Sequence, residues 1–107
     1  MRVRQLICIT VFFWGAVGVV FAESPAEQLA QRYGCMACHH AKTDLIGPSF
    51  SSIAAKYRSQ PGIKDKLMLK LKNGGSGVWG AAEQPAYANE IKVQTDYSIL
   101  IDWVLSH

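Results

Sequence analysis

The sequence lacks three features that are common in small proteins: widely spaced cysteine pairs, the alternating pattern of β-strands, and a large excess of charge of one sign. Only three cysteines occur in 107 residues, and Cys8 lies in an apolar N-terminal stretch. Cys35 and Cys38 are so close that a disulfide between them would restrict the unfolded chain little. No alternation of apolar and polar residues predicts a strand. These absences exclude a disulfide scaffold and predict a domain built from helices.

The charge balance excludes a nucleic-acid-binding domain, which is strongly basic. Without Arg2 and Arg4, nine basic residues oppose eight acidic ones. The chain also lacks a constellation of acid–base side chains, so we do not predict an enzyme. One stretch is nevertheless basic, with only Asp65 opposing six residues: Lys56, Arg58, Lys64, Lys66, Lys70 and Lys72. This stretch is either a solvated helix face or a patch that steers an acidic protein partner.

The first 22 residues have the pattern of a secretory signal peptide. Arg2 and Arg4 precede a nearly continuous apolar run, and Ala22 closes a small-residue cleavage site. We therefore predict a signal peptide over 1–22, a single domain over 23–107, and a periplasmic location. Retention of the apolar run as a membrane anchor is the alternative, because its length is near the shortest that spans a bilayer.

The run Cys35-Met36-Ala37-Cys38-His39 has the C-x-x-C-H spacing of a covalent haem-attachment site. Two thiols on one helical turn can add to the two vinyl groups on one edge of a porphyrin, and the following histidine can then bind the iron. A dithiol oxidoreductase would need a βαβ context for these cysteines. A zinc site is less favoured, because four ligands within six residues cannot easily surround a tetrahedral ion.

Helix signals occur along the rest of the domain. Ser24 with Pro25 predicts the start of one helix, and Ser49 or Ser51 caps a second. A third helix is predicted from Ile63 to about Lys72. We expect a structureless span over 78–94, followed by a last helix capped by Thr95. The fold class is all-α, with three to five short helices.

With these elements in place, the chain resembles the class I c-type cytochromes, in their short bacterial periplasmic subgroup. The segments that carry the resemblance follow the family's order and approximate spacing over almost all of 23–107: Cys35-Met36-Ala37-Cys38-His39, Gly47-Pro48, Lys72-Asn73-Gly74, Gly77-Val78-Trp79-Gly80 and Trp103-Val104-Leu105-Ser106. The resemblance implies a class I cytochrome c fold wrapped around one covalently attached haem c. It also implies that the first and last helices cross near Gly34.

The resemblance implies roles for particular residues. Cys35 and Cys38 would hold the haem, and His39 would be one axial iron ligand. The Pro48 carbonyl would accept the proton of the second ring nitrogen of His39 and so fix the ring. Trp79 would donate its indole N–H to a haem propionate.

The sequence departs from the family at the second axial position. The family has a methionine four residues after the glycine of Gly-Val-Trp-Gly and directly before a proline, whereas here Gln84 precedes Pro85. Three hypotheses follow for the sixth iron position. Gln84 binds through its side-chain oxygen; the site is open, or holds water; or another residue swings in, with the candidates His107, Tyr87 and Asn89.

We predict a one-electron carrier between respiratory redox partners. A haem domain that binds nitric oxide, carbon monoxide or peroxide is the alternative, because iron becomes accessible when its sixth ligand is weak. We expect a monomer whose lysine-rich stretch meets partners with acidic docking surfaces. No nucleic acid is expected as a partner, and a membrane only if residues 1–22 are retained.

Overall fold

The computed structural model describes residues 10–107 and has four α-helices and one small β-hairpin. Part of the predicted signal peptide, residues 1–9, lies outside the described residues. Residues 10–24 form neither helix nor strand. Within the described range, none of the helices combines the length and the apolar character needed to cross a membrane.

Helices α1 (Pro25–Arg32) and α2 (Phe50–Tyr57) begin at the serines that the sequence suggests. The hydroxyl oxygen of Ser24 accepts a hydrogen bond from the backbone N–H of Glu27, and that of Ser49 accepts from Ser52 N–H at 3.0 Å. These bonds satisfy backbone donors that have no partner within the first helical turn. Of the two predicted caps of α2, Ser49 is therefore the one that the structure uses.

Helix α3 spans Ile63–Asn73 and helix α4 spans Gln94–Leu105. The predicted start and end of α3 are confirmed to within one residue. The prediction that Thr95 caps α4 is wrong, because the N-cap residue is Val93 and no side chain completes the cap. Ile91 lies two residues before the N-cap residue and is buried. Packing of the segment before α4 against the core therefore fixes where this helix starts.

The expectation of a structureless span after α3 is also wrong. Strands β1 (Gly75–Gly77) and β2 (Gly80–Gln84) pair antiparallel, with Gly75 opposite Gln84 and Gly77 opposite Gly80. Glycine-rich strands lack the side-chain alternation by which a strand is recognised in a sequence. The all-α class holds for the domain as a whole, and the hairpin brings Gln84 back to the end of α3.

The hydrophobic core joins α1 and α4. Leu29, Ala30, Ile91, Tyr97 and Leu100 form one buried cluster. Polar contacts reinforce this arrangement, because Tyr33 Oη donates to Asp96 Oδ2 at 2.7 Å. That bond, with burial as a lesser cause, raises the pKa of Tyr33. Helix α4 thus forms the base against which the other three helices are organised.

Candidate functional site

A cavity of about 380 Å³ lies between the helices and the hairpin. Its volume is within the range of roughly 300–1,000 Å³ that is usual for small-molecule sites. The cavity lining includes all six residues proposed from the sequence to hold a cofactor or metal: Cys35, Cys38, His39, Pro48, Trp79 and Gln84. The structure therefore brings all the predicted site residues to one cavity.

The C-x-x-C-H run forms a 3-10 turn over Cys35–Ala37 that follows α1 directly. Gly34 precedes the turn with a φ of 73°, a left-handed conformation that favours glycine. An added Cβ at Gly34 would have no atom within 4 Å, so the backbone turn accounts for this glycine. Within residues 10–107 no disulfide joins Cys35 and Cys38, and both side chains are half-buried and line the cavity.

The His39 ring is held from two sides. Its Nδ1 lies 2.6 Å from the Pro48 carbonyl oxygen, and its ring stacks on Phe50 with centroids 5.6 Å apart. A carbonyl oxygen can only accept a hydrogen bond, so Nδ1 carries the proton and donates it. The other ring nitrogen, Nε2, faces the cavity.

Gly47 allows the loop to approach the His39 ring this closely. A Cβ at position 47 would lie 2.7 Å from His39 Cε1 and 3.0 Å from Nδ1. Both separations are too short for a real side chain, so any larger residue would displace the imidazole. The backbone N–H of Gly47 also donates to Cys38 O at 2.9 Å, which fixes the loop against the haem-attachment turn.

Gln84 reaches the cavity from the opposite side. Its backbone passes close to Gly74, where an added Cβ would lie 2.5 Å from Gln84 O. Tyr87 N–H donates to Leu71 O at 3.0 Å and ties the following residues to the end of α3. The side-chain Nε2 of Gln84 donates to Pro85 O at 3.3 Å, which leaves the side-chain oxygen facing the cavity.

Two donor atoms consequently face each other across the cavity. His39 Nε2 and Gln84 Oε1 are 3.2 Å apart. At this distance the two side chains can share a hydrogen bond, so His39 and Gln84 meet directly across the cavity. A metal ion bound by both atoms would need them farther apart than this, since metal bonds to nitrogen and oxygen are each about 2.0–2.2 Å long. An imidazole nitrogen and an amide oxygen are both chemically able to bind a transition-metal ion.

Trp79 lies at the mouth of the cavity and is about 43% exposed. Its ring meets Tyr57 edge-on at 6.2 Å, and Lys56 Nζ lies 5.3 Å from its ring centroid. A cation over an indole face is attracted by the electron-rich ring. These contacts orient Trp79 beside the cavity, where its N–H can donate to an anionic group.

The other candidates for the sixth position are placed differently. Tyr87 lines the cavity, whereas His107 and Asn89 do not. His107 instead packs against Trp103 and Phe50, and its Nδ1 lies 3.0 Å from Trp103 O. Within residues 10–107, no methionine lines the cavity, and Met68 packs against the core cluster. These contacts favour Gln84 over the other candidate side chains for the sixth iron position.

The six-residue basic stretch does not form one surface. Arg58 donates to the carbonyl oxygens of Leu105 and His107, and Lys64 pairs with Asp102 at 2.7 Å. Lys66 and Lys70 line the cavity instead, whereas Lys72 lines a separate groove with Asp65. The basic patch predicted from this stretch is therefore smaller in the structure. It consists of Lys66 and Lys70, which line the cavity, and Lys56 beside it.

Sequence reasoning missed three residues that build the site. The close approaches at Gly47 and Gly74 leave no signal in the sequence beyond the glycines themselves. Asp44 is the third: its carboxylate accepts from Ser49 N–H and from the Ser52 hydroxyl. An aspartate five residues before a capping serine was the available signal, because Asp side chains often hydrogen-bond nearby backbone N–H groups.

The helical fold, with the C-x-x-C-H cysteines and histidine lining one cavity, is the arrangement expected of a small domain that holds a single haem. Relatives agree with this. The chain is 39% identical to cytochrome c-552 of Hydrogenobacter thermophilus, over 86% of this chain and 88% of the relative. It is 42% identical to cytochrome c-551 of Azotobacter vinelandii, over 76% of this chain and 95% of the relative. No protein-family model matches the chain.

Solved structures give the same result. The wild-type cytochrome c552 of Nitrosomonas europaea superposes with a TM-score of 0.68 at 38% identity, over 74% of this chain and 95% of that one. The chain belongs to the class I c-type cytochromes of the cytochrome c-551 and c-552 group. The class I cytochrome c fold is thereby confirmed. The cofactor is one covalently attached haem c, and the family's members are mono-haem electron carriers.

Replacing Gly47 with alanine is expected to disturb the iron site more than the fold. The new Cβ would push the His39 ring away from the position that Pro48 fixes, and overpacking of this kind costs about 1–3 kcal/mol. We expect an altered ferric spectrum and a lower melting temperature. Gly62→Ala is the control, because Gly62 has a φ of 70° and an added Cβ there would have no atom within 4 Å. It should lower stability without changing the spectrum; equal spectra for both variants would contradict the role of Gly47.

Proposed function

We propose that the protein is a periplasmic one-electron carrier in which the iron is bound by His39 and by the side-chain oxygen of Gln84. The observation that carries the proposal is the convergence of His39 Nε2 and Gln84 Oε1, 3.2 Å apart, in the haem cavity. Cys35 and Cys38 make the two thioether bonds, the Pro48 carbonyl orients His39, and Trp79 donates to a propionate. When bound, the haem supplies a one-electron couple.

The ligand set determines how strongly this carrier holds its electron. An amide oxygen is a hard donor that favours ferric iron, whereas a thioether is a soft donor that favours ferrous iron. The Gln84 side chain therefore lowers the reduction potential relative to relatives with methionine. The physiological partners are then respiratory proteins that work at a lower potential than the partners of those relatives.

A potentiometric titration followed by optical absorbance tests this function. A carrier should give one reversible transition with the slope of a one-electron couple. Carbon monoxide should bind the reduced wild-type protein more slowly than it binds Gln84→Ala, because the Gln84 side chain must first leave the iron. Equal rates of carbon monoxide binding in the wild type and in Gln84→Ala would contradict the ligation, and an irreversible titration would contradict the carrier function.

The apolar N-terminal run supports export. In the described part of it, Phe12, Phe13 and Trp14 are each almost fully exposed and have no place in the core. We propose that cleavage after Ala22 releases the domain 23–107 into the periplasm as a monomer. The intact mass of haem-stained protein from a periplasmic extract tests this: a mass that begins at Glu23 supports cleavage, and haem confined to the membrane fraction contradicts it.

We further propose that the partner docks at the mouth of the cavity through acidic groups. Lys66 and Lys70 line the cavity, and Lys56 lies over Trp79 beside it. Surface charges of this kind act mainly on the association rate, which they raise most at low ionic strength.

Substitution of the cavity lysines should therefore slow electron exchange. In Lys66→Gln/Lys70→Gln we expect the second-order rate with an acidic redox protein to fall severalfold at low salt and to approach wild type at high salt. Lys72→Gln is the matched control on the same helix, because its side chain faces the other groove. A control that slows exchange as much as the paired variant would mean that only net charge matters.

A further inference from the structure

The peptide group between Pro48 and Ser49 has hydrogen bonds at both ends. Its carbonyl oxygen accepts from His39 Nδ1 at 2.6 Å, and its N–H donates to Asp44 Oδ1 at 2.7 Å. A peptide group is planar through resonance, and in the trans form its C=O and N–H point in opposite directions. Asp44 and His39 are therefore joined through one rigid, polarisable unit, which we call the carboxylate–peptide–imidazole chain.

Further hydrogen bonds hold Asp44 in place at the carboxylate end of the carboxylate–peptide–imidazole chain. Its Oδ1 also accepts from the Ser52 hydroxyl at 3.0 Å, and that hydroxyl lies 2.8 Å from Ser49 Oγ. Ser49 is almost completely buried, whereas Asp44 is exposed, so these bonds run from the surface of the loop to the protein interior. The hydrogen bonds from Ser49 N–H and Ser52 hold the pKa of Asp44 below its usual range, and its carboxylate is anionic at neutral pH.

Electrostatics gives the direction in which the Asp44 carboxylate changes the His39 imidazole. Hydrogen bonds joined in series polarise one another, by about 10–30% per bond. A carboxylate at the N–H end makes the carbonyl oxygen at the other end a better acceptor. A stronger acceptor at Nδ1 raises the basicity of the ring and hence of Nε2 as a ligand, as groups that hydrogen-bond to metal-bound histidines do.

We propose that Asp44 is a positioning residue for His39, acting through the Pro48–Ser49 peptide group to fix the imidazole and to increase the electron density at Nε2. The proposal rests on His39 being an iron ligand. A more basic imidazole stabilises ferric iron over ferrous iron, so Asp44 lowers the reduction potential. Asp44 and Gln84 would therefore both lower the reduction potential, Asp44 through His39 and Gln84 as a ligand.

The test compares Asp44→Asn with Asp65→Asn in the holoprotein. Asparagine keeps an oxygen that accepts from Ser49 N–H, so the loop is preserved while the charge is removed. Asp65 lies on α3 beside the second groove and provides the same change of charge away from the carboxylate–peptide–imidazole chain. Asp44→Glu retains the charge and serves as the rescue variant.

Two readings are taken from each variant: the reduction potential, and the NMR shift of the His39 Nδ1 proton in the ferric protein. In Asp44→Asn we expect the ferrous-to-ferric ratio at fixed potential to rise about threefold, or about 30 mV at 59 mV per decade. The Nδ1 proton signal should move, and Asp44→Glu should return both readings toward wild type. Asp65→Asn should leave the proton signal in place and shift the potential less.

Equal shifts in Asp44→Asn and Asp65→Asn, with an unmoved Nδ1 proton, would overturn the proposal and leave the ligation intact. If Asp44→Asn changes the melting temperature but neither reading, Asp44 serves only the loop and the proposal fails. If the wild-type His39 signals show no paramagnetic shift at all, His39 does not bind the iron. In that case the proposed function fails together with this inference.

Discussion

Loss of stable holoprotein is the expected result of replacing Cys38 with alanine. One of the two thioether bonds would be missing, and the remaining bond would have to hold the haem in a cavity that opens at the Trp79 side. The protein should then release haem into acidified acetone, whereas wild-type haem stays with the polypeptide. Cys35→Ala should behave in the same way, because both thiols line the same cavity.

The fold should be lost with the haem. The buried cluster consists of few large side chains, and a domain of this size commonly needs a cofactor to supply enough core. A group that binds only the folded state stabilises it, and a covalent group does so permanently. We expect circular dichroism to show a cooperative melt for the wild type and none for Cys38→Ala.

Cys8→Ala is the matched control, since it removes a thiol from the predicted signal peptide and not from the haem site. It should give wild-type holoprotein with the same melt. A Cys38→Ala protein that retains haem through acid extraction, or melts cooperatively at the wild-type temperature, would refute the attachment site.

Replacing Gln84 with methionine should raise the reduction potential and change the colour of the ferric protein. The loop is already suited to the exchange, because Gly74 and the Leu71–Tyr87 backbone bond hold position 84 over the cavity. A thioether there would favour ferrous iron. The identity of axial ligands moves haem potentials over about 0.8 V, and we expect roughly 0.1 V or more of this range.

Gln60→Met is the matched control, because Gln60 also lines the cavity but its amide donates to Lys56 O. It should leave the potential and the spectrum nearly unchanged. Gln84→Ala completes the series: it should open the sixth position, so that the reduced protein binds carbon monoxide at once. If Gln84→Met alters neither potential nor spectrum, the hairpin does not present position 84 to the iron, and the ligation is wrong.

Much of this architecture is predictable from the sequence, because its signals are local. Ser24 and Ser49 begin helices through bonds within one turn, and the C-x-x-C-H spacing requires its own short turn. The parts that were missed depend on contacts between distant segments. The hairpin forms from glycines whose pattern gives no strand signal, and its place is set by the close approach of Gly74 to Gln84.

The start of α4 shows the same limit. Thr95 is a good capping residue by type, but Val93 occupies the cap position because the preceding Ile91 is buried in the core. Tertiary packing outweighed a local preference there. The link from Asp44 to His39 was likewise out of reach, since it passes through a backbone group whose orientation only the folded loop defines.

The ferric absorption spectrum of the purified wild-type protein near its red end tests the central claim most directly. Iron bound by methionine sulfur has a weak charge-transfer band there, and iron bound by His39 and the Gln84 oxygen should lack it. We predict no such band in the wild type and its appearance in Gln84→Met. A band in the wild-type protein would mean that a methionine reaches the iron, and the assignment of Gln84 would then be wrong.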